Sequence, residues 1–170
     1  MNFEELIKKR YSCKSFSDRQ VEDEKLNAIL NAGRVAPTAK NLQEQRIYVI
    51  KTPDLLAKID KITSCRYNAQ SLLVVAYDKN NVFVYPGGRK DSGVEDATIV
   101  ATHMMLAAAA EGVDSCWVNY FDPDKLAEAL ELPENEEIVM ILDLGYASKE
   151  AGPLPNHYNR KPLDETVKYL

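Results

Sequence analysis

A layered α+β fold is predicted by three observations on the sequence. Strand-like and helix-like segments come mixed rather than strictly alternating, which favours a layered sheet over a doubly wound domain. Residues 72–77 (Leu-Leu-Val-Val-Ala-Tyr) form a continuous apolar run, the pattern of a strand covered on both faces. Residues 95–111 form the longest helical segment, and from Ala97 to Ala110 they lack a broad polar face, as a helix buried all round does. No G-x-G-x-x-G is present, so a dinucleotide-binding fold has no direct support.

The other elements follow in order. Residues 3–9 read as a short helix with Phe3, Leu6 and Ile7 on its inner face. Residues 22–32 read as a second, with Leu26, Ile29 and Leu30 apolar and Gly33 placed as its C-terminal stop. A strand over 46–50 precedes a helix that Pro53 opens and that runs to about Ile62; proline is well tolerated at a first helical position. Residues 82–85 form a weaker strand ending at the turn Pro86-Gly87-Gly88. Gly112 closes the long helix, strands follow over 115–118 and 138–144, and a helix over 124–130 lies between them. The tail from Ala151, rich in Pro, Asn and Tyr, is expected to run extended over a surface.

With 170 residues and no composition shift, the chain reads as one domain, 1–170. A hydrophobic content of 45% and a charged content of 28% are ordinary for a soluble globular protein. The net charge of −5 argues against nucleic-acid binding, which favours a basic surface. No basic and apolar leader follows Met1, and the apolar part of the long helix falls short of the ~20 residues of a membrane span, so a cytoplasmic protein is expected. That helix is expected to be buried by its own domain and a partner subunit, with His103 a satisfied core histidine. Cys13, Cys65 and Cys116 suggest neither a disulfide framework nor a zinc site, and Cys13 reads as an inert thiol.

Chemistry concentrates in two segments. In Arg10-Tyr11-Ser12-Cys13-Lys14-Ser15-Phe16, an extended backbone puts Arg10, Ser12 and Lys14 on one face and Tyr11, Cys13 and Ser15 on the other. Two cations flanking a hydroxyl, beside free N–H groups, make a phosphate cradle. By spacing alone the same triplet also fits a solvated strand edge. In Ala36-Pro37-Thr38-Ala39-Lys40-Asn41-Leu42-Gln43, short polar side chains suit a loop that hydrogen-bonds a flat heteroaromatic ring. The pair resembles the nitroreductase family of FMN-dependent enzymes, with its Arg-x-Ser-x-Arg/Lys-x-Phe followed by Ala-Pro-Ser/Thr-x-x-Asn-x-Gln. Glu44 stands where the family often has proline, a departure expected to bear on the turn more than on chemistry.

The resemblance implies an α-β-α layered fold with a mainly antiparallel central sheet and a long buried helix at a homodimer interface. It implies FMN contacts from Arg10, Tyr11, Ser12 and Lys14, and from Pro37, Thr38, Asn41 and Gln43, with Thr38 and Asn41 meeting the flavin of the neighbouring subunit. Residues 112–122 resemble the family segment that passes the flavin after the central helix. That match places backbone near Asn119 and Tyr120 beside the ring, where the family usually has a small residue or Glu-Gly. Asn68 matches a pyrimidine-edge contact loosely. Residues 155–165 resemble the family's closing Lys-x-Arg-x-Pro-Leu-Glu-Glu: Arg160 matches the phosphate-binding arginine, while Tyr158 stands where lysine is common. The implied reaction is ping-pong, with NADH or NADPH delivering hydride to the flavin and a small acceptor, a nitroaromatic or quinone, removing it. The flavin carries that chemistry, so no catalytic side chain and no metal is implied. A non-catalytic FMN-binding or redox-sensing protein, or a specialised flavoenzyme of the same superfamily, stays open as an alternative.

Overall fold

The computed structural model describes residues 2–170, which build two helical layers around one sheet. The helices are α1 (Phe3–Lys9), α2 (Asp23–Arg34), α3 (Pro53–Asp60), α4 (Gly93–Ala110), α5 (Pro123–Ala129) and α6 (Leu163–Thr166). The strands are β1 (Gln45–Ile50), β2 (Ser71–Asp78), β3 (Asp114–Val118) and β4 (Glu136–Gly145), in the order β1-β2-β4-β3. Every pairing is antiparallel, and the β2–β4 register shifts at Val75/Ala76.

The apolar run becomes β2, in which every residue from Ser71 to Tyr77 is buried. On one side of the sheet Val75, Met140, Leu142 and Leu144 pack with Leu26 and Ile29 of α2 and Val100 and Met104 of α4. On the other, Leu72, Val74 and Ile141 pack with Phe16, Leu56 and Ile59 of α3, and Leu126 of α5. Each such side chain contributes about 1.5–3 kcal/mol when fully buried.

Several expectations differ from the structure. Gly33 does not stop α2: it lies inside the helix, buried, and a Cβ there would come within 2.8 Å of Met104 Cγ. Its role is close approach of α2 to α4, and the helix runs on to Arg34. In α1 the helix itself forms, with Asn2 and Glu5 in a reciprocal capping box, but Phe3 is 67% and Ile7 43% exposed. Leu6 reaches toward α4, sharing a pocket with Lys9 and Ala109. The segment 82–85 is not a sheet strand; its pairing is one bridge, Val84 to Asp91, across the glycine turn.

In α4 the buried residues are Gly93, Asp96, Ala97, Val100, Ala101, Met104 and Ala108, spaced as one helical face. Ile99, His103 and Leu106 are half-buried, and Val94, Glu95 and Ala110 are exposed. An alanine-rich helix shows no polar counterface in sequence, yet this chain covers one side of it only. Gly112, at φ +71°, ends it: the Gly112 and Val113 N–H groups donate to Ala109 and Ala108 carbonyls at 3.2 and 2.8 Å. The tail carries a turn at Pro155–Tyr158 and α6 rather than a plain extended run. No helix among the described residues is long and apolar enough to cross a membrane.

Candidate functional site

The segment after α1 is an extended strip sewn to the edge of the sheet. Ser12 bridges Ser115 of β3 in parallel, and the Cys13 N–H donates to Ser115 O at 2.9 Å. Further along, Phe16 N–H donates to Tyr67 O at 2.9 Å and Ser17 N–H to Tyr146 O at 2.8 Å. Cys13 and Phe16 turn inward and are buried, whereas Ser12 and Lys14 face out. Among the described residues the backbone N–H groups of Ser12 and Lys14 have no protein acceptor. A pocket of about 230 Å³ opens here, lined by Tyr11, Ser12, Lys14, Leu154, Asn156 and His157. Arg10 lines an adjoining pocket of about 260 Å³ with Lys9, Tyr11 and Asp114. Tyr11 borders both; burial, with Asp114 and the Cys13 thiol nearby, pushes its phenol well up. Arg160 lies outside both pockets, its guanidinium donating to the carbonyls of His157 and Asn159. Tyr158 is 71% exposed, edge-on to the His157 ring.

The second segment holds its shape by internal bonds. Thr38 Oγ1 accepts from the Gln43 N–H at 3.1 Å, Thr38 O accepts from the Asn41 N–H at 2.9 Å, and Gln43 Nε2 donates to Asn41 O at 3.2 Å. Lys40, Asn41 and Gln43 all sit in the left-handed region, at φ 53°, 56° and 54°. That conformation costs about 1–2 kcal/mol per non-glycine residue, so something must hold it. Pro37 is exposed at its entry. At its base the Ala39 N–H donates to Asp96 Oδ2 at 2.9 Å, and Ser92 Oγ donates to Glu44 Oε1 at 2.7 Å. Glu44 is wholly buried and Asp96 is 4% exposed. Burial, and then its contact with Asp96, raise the Glu44 carboxyl above its ordinary range. Glu44 therefore braces the base of this loop.

The other site residues are tied to protein groups. Asn68, at φ 68°, donates through Nδ2 to Phe16 O and Asp18 Oδ1 at 3.1 and 3.0 Å. Asn119 Oδ1 accepts from Trp117 Nε1 at 2.5 Å, and its Nδ2 donates to Val139 O at 2.9 Å. Tyr120 is 78% exposed, and its carbonyl accepts from Thr63 Oγ1 at 2.6 Å. All three cysteines are free thiols. Burial pushes Cys13 up and Cys116 up to about 12, whereas the Tyr67 and Thr63 hydroxyls and the Lys14 charge draw Cys65 down. Asp143, opposite Cys116 on β4, is buried, its Oδ2 has no donor, and burial raises its carboxyl. Asp96 and Asp143 escaped the sequence reading. Only Asp143 left a clear signal, an acid inside an apolar strand run.

Within one chain the two segments are far apart. The loop is anchored at Asp96 in the first turn of α4, and the strip meets the helix near Ala109 in its last turn. Thirteen residues of helix span about 20 Å. By contrast, Asn119 follows the end of β3 whose start pairs with the strip, a separation of about 13 Å along one strand.

The Nitroreductase family model matches residues 7–69 and 65–146. The chain belongs to the Nitroreductase family. A nitroreductase family protein from Clostridium difficile 630 shares 43% identity over 99% of this chain and 98% of its own, and its crystal structure superposes with a TM-score of 0.93. A protein of Archaeoglobus fulgidus named as an NADH dehydrogenase/NAD(P)H nitroreductase is 30% identical over 152 residues, 85% of each chain. An FMN-dependent nitroreductase from Clostridium difficile R20291 is 26% identical, with a TM-score of 0.74 over 92% of this chain and 96% of that one. The α+β architecture with its antiparallel sheet is thus that of nitroreductase-family enzymes.

Proposed function

We propose that this nitroreductase-family enzyme is an FMN-dependent homodimer that oxidises NADH or NADPH and reduces small acceptors such as nitroaromatics and quinones. The observation that carries this reading is the outward face of residues 12–14. A hydroxyl, an ammonium and two N–H groups without protein acceptors line one pocket there. That donor set fits a phosphate, which takes up several hydrogen bonds and is favoured by nearby positive charge. A family relative that is FMN-dependent supports the choice of anion.

Ser12 and Lys14 hold the phosphate, with Arg10 adding charge from the adjoining pocket and Arg160 available from the tail. FMN held there would supply the redox chemistry, hydride transfer between a nicotinamide and an acceptor in alternating half-reactions. Residues 119–120 flank the ring with a backbone whose direction is fixed by the Trp117, Val139 and Thr63 bonds. The loop at 38–43 sits about 20 Å along α4 from the strip, so the loop that meets a given flavin comes from a second copy. The half-covered face of α4 supplies an apolar surface for that copy, and dimerisation and FMN binding then stabilise each other.

The test is the visible spectrum of the purified protein under anaerobic conditions, before and after NADH and then NADPH. Flavin bands that bleach with one donor and return on adding a quinone or nitroaromatic are the expected result. Bands that persist with both donors would point to a binding or sensing role instead. A colourless protein that takes up no FMN would overturn the reading.

A further inference from the structure

The loop at 38–43 rests on two buried acids, and their chemistry decides when it stays in place. Glu44 is 0% exposed, Ser92 0% and Asp96 4%. Ser92 Oγ donates to Glu44 Oε1, and the Ala39 N–H donates to Asp96 Oδ2. Glu44 Oε2 receives no donor. Among the described residues no cation pairs with either carboxyl. Arg46 turns instead to the Glu44 main-chain carbonyl at 3.2 Å, and to Asp78 and Glu136 at 3.1 and 3.6 Å. The Lys40 ammonium lies 4.4 Å from the Phe83 ring centroid. The remaining acids at this end of α4 are spent elsewhere: Asp91 accepts from the Gly93 N–H and Glu95 from the Tyr85 hydroxyl.

Two carboxylates buried together without a cation do not both stay ionised. The geometry says which one keeps a proton. Asp96 lies in the first turn of α4, where the helix dipole favours a negative charge, and it already accepts an N–H. Glu44 is off the helix and has one oxygen without a donor, the place for a proton aimed at its acidic neighbour.

We propose that Glu44 is a positioning residue: protonated, it donates to Asp96, and the pair latches the 38–43 loop in its left-handed turn until that proton leaves. Loss of the proton to solvent puts two negative charges in one buried site and loosens the base of the loop. Three left-handed residues then have less to hold them, and Thr38 and Asn41 lose their fixed directions. Burial, and then the neighbouring Asp96, hold the Glu44 carboxyl in its protonated form to higher pH than usual, which agrees with this arrangement. The consequence for flavin rests on the function proposed above; the latch itself does not.

The experiment measures flavin release from the holoprotein at about pH 6, 7.5 and 9, a range that spans shifts of several units in a buried acid. In the unaltered protein release is expected to quicken roughly tenfold or more across that range, a change of ~1.4 kcal/mol in the hold on the flavin. Glu44→Gln, whose amide donates to Asp96 at every pH, is expected to release slowly throughout, and Glu44→Ala quickly throughout. Asp143→Asn, which removes a buried acid away from the loop, is expected to keep the unaltered pH dependence. A flat profile in the unaltered protein, or an unchanged slope in Glu44→Gln, overturns the latch. If the protein binds no flavin, the function fails but the latch is still tested. Amide exchange at residues 39–43, corrected for its intrinsic pH dependence, must then follow the same order among unaltered protein, Glu44→Gln and Glu44→Ala.

Discussion

The strip at 10–16 and the loop at 36–44 carry two halves of one family pattern, and they are held in opposite ways. The strip borrows its order from the sheet: the Cys13 N–H is bonded to β3, the Phe16 N–H to Tyr67, and the alternate residues are left facing outward. Its polar groups are therefore free for a ligand. The loop makes its own order, with Thr38, Asn41 and Gln43 bonded to one another and three residues in a costly backbone region. A strip of this kind tolerates loss of a side chain without losing its shape. A loop of this kind does not, because the side chains proposed to meet the flavin are also its struts.

The largest effect expected from this contrast is on the strip's chemistry alone. Arg10→Ala should weaken FMN by roughly one to two decades, since a charge-assisted bond contributes ~1.5–3 kcal/mol. Riboflavin, without the phosphate, should bind the variant as well as the unaltered protein, and a parallel loss for both in calorimetric titration would deny Arg10 its phosphate role. Next comes Asp143→Asn. The Asp143 carboxyl is raised by burial, so the stability linked to it is complete below about pH 4, its unfolded range, and is lost as pH rises through the raised value. The variant should gain over the unaltered protein as pH increases, by about 1–3 kcal/mol for a buried group no longer forced to ionise. Denaturant melts at several pH values that show a constant difference would contradict that placement.

Smaller effects belong to the loop. Thr38→Ala removes the acceptor for the Gln43 N–H and should cost about 0.5–1.5 kcal/mol, weakening FMN and riboflavin alike by two- to tenfold. A loss confined to FMN would place Thr38 at the phosphate instead. Smallest of all, Lys40→Gly relieves one left-handed residue at the cost of a freer unfolded chain, a net gain of about 0.5–1 kcal/mol. A lower melting temperature would mean that the Lys40 contact with Phe83 outweighs the strain.

The difference between the two regions also explains what the sequence made legible. Alternation along a strip and a continuous apolar run are both written in residue type, so the outward face of Ser12 and Lys14, the burial of Cys13 and the burial of β2 follow from the sequence. Loop strain is not: Lys40, Asn41 and Gln43 carry no glycine to mark a left-handed turn, and the two acids at its base, Glu44 and Asp96, carry no sign in the sequence of being buried together. Gly33 was misread for a related reason. A glycine near a helix end suits both a stop and a close approach, and only Met104, 71 residues away, decides between them. From Ala97 to Ala110 α4 has no broad polar face, so its pattern cannot tell a side covered by this chain from a side left open.

The proposed site is assembled from the strip of one copy and the loop of another. Mixing two inactive variants tests this directly: Arg10→Ala/Lys14→Ala, which spoils the strip, and Asn41→Pro, which a residue at φ 56° forbids. In a mixed dimer one site inherits both defects and the other none. A one-to-one mixture allowed to exchange subunits should regain tight FMN binding and reductase activity at about a quarter of its sites, since half the dimers are mixed. No recovery beyond the two separate variants would contradict the account and return both segments to a single chain.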